Sequence, residues 1–106
     1  MILPDADSLR EQYPALWQLF GAYFHQDWHA DDETPDDVLR RYLQVEPVDG
    51  VPGARRELDE LLRRWPGEAD LQEIHHRLGS SLWPPGVGYT TRDWLVHVGE
   101  FLARAG

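Results

Sequence analysis

This chain of 106 residues has no cysteine and no lysine, and all ten of its cations are arginine. Without cysteine there is no disulfide framework and no thiolate metal site. No run of 18 apolar residues occurs, which excludes a membrane-spanning helix. The opening Met1-Ile2-Leu3-Pro4-Asp5 has neither the basic nor the apolar stretch of a secretory leader. These absences together place the expected compartment in the cytoplasm. Positive charge is scarce as well. Ten basic against 19 acidic residues leave a net charge of −9. A domain of that sign is a poor nucleic-acid binder, because neutralising phosphates needs a cationic surface. It suits a basic protein partner, whose approach it would steer, and the same charge also serves plain solubility.

What the chain has is apolar mass, 42% of its residues and five tryptophans. That is enough for one domain over residues 1–106, burying roughly 65% of the surface of the unfolded chain. The stretch from Tyr13 to Trp28 organises the rest. Leu16, Leu19, Phe20, Tyr23 and Phe24 fall on one face of a 3.6-residue period, and Trp17, Gly21 and Phe24 form a neighbouring stripe. A helix apolar over so much of its circumference belongs in the middle of a domain. Ser8 offers a cap for a helix running into Tyr13, but Pro14, suited to a first helical position, sets the start near Tyr13. The first helix is therefore expected over 14–24, with Gly21 marking the close approach of another element. It runs into the polar cluster His25-Gln26-Asp27, closed by Trp28.

Thr34 and Pro35 open a second helix that ends near Gln44. Asp36 and Asp37 sit in its first turn, where the helix dipole favours anions; Asp31, Asp32 and Glu33 have no such explanation. Residues 46–53 read as a loop. A third helix over 52–65 carries Ala54, Leu58, Leu61, Leu62 and Trp65 on one face, and a fourth over 68–78 turns Leu71, Ile74, His75 and Leu78 inward. Gly79 is a natural left-handed cap. The segment 79–89, with Pro84-Pro85-Gly86, reads as non-helical, its two aromatics packed against the domain. Thr90 with Asp93 forms a capping box for a fifth helix over 91–104, with Trp94, Leu95, Val98, Phe101 and Leu102 on its apolar face. The fold class that follows is all-α, a compact bundle of four to five helices around the first and the fifth.

Phe24-His25-Gln26-Asp27-Trp28 resembles the signature of the immunity proteins of contact-dependent growth inhibition systems. Leu78-Gly79, Pro84 and Arg92-Asp93-Trp94-Leu95 match further places of that family's pattern in order, so the resemblance covers about Leu9 to Leu102. It departs at Ser80 and Ser81, which replace bulkier residues. The resemblance implies a protein that binds and neutralises a cognate toxin domain by stoichiometric contact, either over the toxin's active site or across its substrate path. The implied partner is a protein, basic where it handles nucleic acid, and no cofactor is implied. Phe24, His25, Gln26, Asp27, Trp28, Arg92 and Trp94 then belong to a structural motif. Within it Asp27 is expected to meet Arg92 or the free N–H groups at the start of the fifth helix. Asp31, Asp32, Glu33, Asp36 and Asp37 are the candidates for attracting the toxin.

The sequence also carries residues suited to other chemistry. His25, Asp27, His29 and Asp31 alternate, and His25 and His29 are also four apart, so either an extended or a helical segment aligns potential zinc ligands. A small metal-dependent hydrolase using His25, Asp27 and His29 is the alternative from a different class, and a non-enzymatic adaptor is a third. The segment lacks the glutamate of a His-Glu-x-x-His site, and the simpler reading has His25 and Asp27 bonding backbone groups at a helix end, with no metal. His75 reads as a satisfied core residue. Ser80-Ser81 lacks a nucleophile elbow, and Gly86-Val87-Gly88 is too short for a phosphate loop. The metal content of the purified protein and the product of the neighbouring upstream gene discriminate among these readings.

Overall fold

The computed structural model describes residues 2–45 and 50–105, without the side chains of His29, Asp31 and Ala105. Helix α1 spans Ala6–Gln12. The side chain of Asp5 caps it by accepting from the Ser8 N–H at 2.9 Å. This helix starts earlier than the expected start near Tyr13: the cap is Asp5, and Ser8 lies inside the helix. Tyr13 ends α1 and Pro14 opens α2, Pro14–Trp17. From Gln18 to Tyr23 the same rod continues as a π-helix, where an unbroken α-helix was expected. Leu19, Phe20, Tyr23 and Phe24 are all buried. Their spacings of four and five suit the wider turn of i→i+5 bonding.

Short helix α3, Trp28–Asp31, precedes α4, Pro35–Val45. The expected Thr34 cap is present and reciprocal. Thr34 Oγ1 accepts from the Asp37 N–H at 3.2 Å, and Asp37 Oδ2 accepts from the Thr34 N–H at 3.3 Å. Helix α5, Gly50–Arg64, begins inside the segment read as a loop, of which residues 46–49 lie outside the described residues. Helix α6 is Glu68–Arg77, and α7 is Thr91–Ala105. Between them Pro84–Val87 forms a 3-10 helix, a correction to the fully irregular segment expected there. Proline is tolerated in a first turn, where its missing N–H would be unpaired anyway. Among the described residues there is no strand. The all-α expectation holds, with α1 and α3 added to the five helices read from the sequence.

Helix α7 is the hub. It packs against α4, α5, α6 and the 3-10 helix, while α2 packs on α5. Trp94, Leu95, Val98 and Leu102 of α7 are buried against Leu16, Leu39, Leu58, Leu61, Leu71 and Ile74 from other helices within one core cluster. Each such fully buried large side chain stabilises the fold by about 1.5–3 kcal/mol. The close approach anticipated at Gly21 is real. Gly79 follows α6 at φ +94°, and a Cβ on Gly79 would lie 3.2 Å from Gly21 Cα. Beyond the crossing, the Ser81 N–H donates to Phe24 O at 2.7 Å, which ties the 80–88 loop to the end of the π-helix.

Two glutamates join helices distant in sequence. Glu57 of α5 accepts from the N–H groups of Ala15 and Leu16, each at 3.1 Å to Oε1, and so caps α2 from 42 residues away. Glu68, first residue of α6, accepts from the N–H groups of Thr91 and Arg92 at 2.8 and 3.0 Å. The expected Thr90 cap on α7 is also made, from the Asp93 N–H to Thr90 Oγ1 at 3.0 Å.

Candidate functional site

The five-residue motif divides into two anchors and a surface turn. Phe24 is fully buried, and Trp28 nearly so. The Phe24 ring lies 5.4 Å from that of Trp94 and 6.1 Å from that of Trp28, both edge-on. Trp94 continues the cluster to Tyr89, at 5.6 Å, and to His97, at 5.9 Å. Such pairs add about 0.5–1.5 kcal/mol each beyond area burial. Between the anchors, the Asp27 N–H donates to His25 Nδ1 at 3.0 Å and the Trp28 N–H donates to His25 O at 3.0 Å. The His25 ring thus closes the tight turn between the π-helix and α3, with Nδ1 as the acceptor.

Gln26 and Asp27 are exposed, and so is Arg92. The expected bond from Asp27 to Arg92, or to the start of α7, is not made. Glu68 occupies that helix start instead. The motif connects to α7 through Phe24 and Trp94, by aromatic packing and not by an ion pair. Burial pushes the Glu68 carboxyl up, but the N–H groups of Arg92 and Thr91, with help from Gln72, outweigh it, and the net shift is downward. At Glu57 the balance is opposite. Burial dominates the N–H groups of Leu16 and Ala15 and raises the carboxyl above its ordinary value.

The acidic segment is largely spoken for within the chain. Asp32 pairs with Arg41 at 2.6 Å, and its side chain is only 12% exposed. Asp36 meets His97 Nε2 at 2.7 Å. Asp37 closes the Thr34 capping box and pairs with Arg40 at 2.7 Å. Glu33 is exposed. The side chains of Asp31 and His29 lie outside the described residues. Among the described residues no three His, Asp or Glu side chains converge as a metal-ligand set.

Two features ran against the sequence reading. Trp83 does not pack inward; it is 68% exposed, the most exposed of the large aromatics in the described residues. His75 is buried as expected but not satisfied: its Nε2 has no hydrogen-bond partner. Its ring stands edge-on to Phe20 at 4.9 Å. Burial, with a smaller contribution from His76, lowers its pKa to about 4, so the imidazole is neutral at physiological pH. His75 and Trp83 line one cleft of about 270 Å³, together with Gln72, His76, Ser80 and Leu82. The sequence signal for this site was available. The chain from Leu78 to Thr91 has no charged side chain, in a protein where 27% of residues are charged.

Comparison with known proteins bears on this arrangement. The family model described as CdiI immunity protein matches residues 12–102. The fold is similar to a chain of the crystallised CdiA-CT/CdiI complex from Y. kristensenii 33638, with a TM-score of 0.80 and 27% sequence identity over 86% of this chain and 98% of that one. No curated protein matches the chain.

Proposed function

The chain belongs to the CdiI immunity protein family, and we propose that it binds and neutralises the toxin domain of a cognate contact-dependent growth inhibition system. The family match across residues 12–102 carries this reading. The structural likeness to a chain crystallised in a CdiA-CT/CdiI complex supports it. Neutralisation is stoichiometric and non-enzymatic. Several groups with catalytic potential hold the fold: His25 closes a turn, His97 pairs with Asp36, and Glu57 and Glu68 cap helices. Residues 1–106 act as one immunity domain, in the cytoplasm where an incoming toxin would act. A net charge of −9 raises the encounter rate with a basic toxin. The acidic segment of Asp31, Asp32, Glu33, Asp36 and Asp37 contributes to that field, with Glu33 the least committed to internal pairing among its described side chains. The motif of Phe24, His25, Gln26, Asp27, Trp28 and Trp94 shapes the scaffold.

Co-expression tests the proposal. Cells making the toxin domain encoded by the neighbouring gene should stop growing, and this chain should restore growth and co-purify with that domain at one to one. Growth arrest that persists despite folded, abundant chain would refute it.

A further inference from the structure

The surface around Trp83 differs in kind from the rest of the molecule. The protein carries 29 charged residues, yet the segment Leu78 to Thr91 carries none. Charge depletion around an exposed aromatic is the compositional mark of the core of a protein–protein interface, and tryptophan is among the residues most enriched at binding hot spots. Trp83 is also preorganised. The Gly86 N–H donates to Trp83 O at 2.9 Å, and a Cβ on Gly86 would sit 3.2 Å from Trp83 Cε3. The indole therefore lies against a glycine that leaves it room, and little side-chain entropy remains to be lost on docking.

The indole forms the ridge between two clefts of about 270 Å³ each. One is lined by His75, the other by Gln26 and Trp28 of the motif. The His75 side chain is 3% exposed and its Nε2 has no partner. A buried polar atom left unpaired costs about 1–3 kcal/mol, a cost that an incoming hydrogen-bonding group would remove. The neutral imidazole offers a lone pair or an N–H at that nitrogen according to its tautomer, the indole face attracts a cation, and the net charge of −9 draws cations toward the whole molecule.

We propose that Trp83 and His75 form the docking centre for the toxin domain, taking an arginine or lysine side chain of the toxin over the indole face and into the His75 cleft. This rests on the toxin-binding function proposed above. It places the energetic centre of the interface on the 80–88 loop and leaves the acidic segment around α4 the task of attraction.

The test is titration calorimetry of the full chain against the purified toxin domain encoded by the neighbouring gene, with thermal melts of every variant. Trp83→Ala should melt like the wild type, since the ring is mostly exposed, and should bind at least tenfold more weakly. Trp83→Phe, which keeps a smaller aromatic face, should recover part of that loss. His75→Phe removes the unpaired nitrogen while keeping a ring against Phe20. It should melt at or above the wild-type temperature and also bind at least tenfold more weakly. Trp83→Ala or His75→Phe, folded and binding within threefold of wild type, would overturn the docking centre while the immunity function stands. A wild-type chain that leaves the toxin domain unbound would overturn the function itself, and the docking centre with it.

Discussion

Glu57 and Glu68 perform the same task in different surroundings, and their ionisation should mark the difference. Each carboxylate accepts from two backbone N–H groups of a helix distant in sequence. Glu68 has a folded pKa below its reference of 4.5, so its ionised form stabilises the fold above about pH 4.5, and that contribution is lost as pH falls through the folded value. Glu57 has a folded pKa above 4.5, so its proton-linked contribution is complete below that reference and is lost as pH rises through the folded value. Glu68→Gln should therefore cost about 1 kcal/mol at pH 7, shrinking below pH 4.5. Glu57→Gln should cost more at pH 4 than at pH 7. Denaturant unfolding of both variants and the wild type at matched pH checks the two slopes, and parallel slopes would remove the assignment. Neither cap was legible in the sequence. A cap three residues away, as in Thr34 and Asp37, leaves a local pattern, whereas a glutamate 42 positions away leaves none.

The elements meet most closely where the π-helix crosses the turn after α6. The sequence drew attention to Gly21, because a glycine inside an apolar helix needs a packing reason. The geometry assigns the stricter requirement to Gly79. A Cβ on Gly21 would meet Leu78 O at 3.5 Å, an ordinary contact, whereas Gly79 combines φ +94° with a would-be Cβ 3.2 Å from Gly21 Cα. Gly79→Ala should destabilise the fold by roughly 1–3 kcal/mol, from the left-handed strain together with the contact. Gly21→Ala should fall within about 1 kcal/mol of wild type, because the gain in helix propensity offsets the tighter contact. Thermal melts decide this, and equal losses would show that the crossing is shared differently. The main helices were readable because apolar periodicity and local caps set them. The π-helix was not, because hydrophobic spacings of three, four and five overlap over so short a run. Helix α1 was missed because Pro14 supplied a stronger start signal than Ser8, while the residue that caps it is Asp5.

At the scale of the whole molecule, charge and docking surface separate. The acidic segment read as a candidate contact site is in large part an internal framework: Asp32 with Arg41, Asp36 with His97, and Asp37 with Arg40. Composition shows how much charge there is but not which charges are paired, so the sequence could locate the acid run without its partners. The charge-free loop was equally visible, yet Trp83 was read as packed against the domain, as Tyr89 is, because tryptophan usually is buried. Long-range attraction needs only the net field, so association with a basic toxin should slow by about tenfold or more between 20 mM and 500 mM salt, with dissociation nearly unchanged. Removing one solvent-facing charge of the segment, as in Glu33→Gln, should lower the low-salt association rate by less than about twofold and leave stability intact. Asp32→Asn should act the other way, with a stability loss of about 1 kcal/mol as the charge-assisted contact to Arg41 becomes a neutral one, and a modest effect on rate. Stopped-flow association across a salt series, together with melts of the two variants, measures both. An association rate independent of salt would show that the −9 charge serves solubility and not capture.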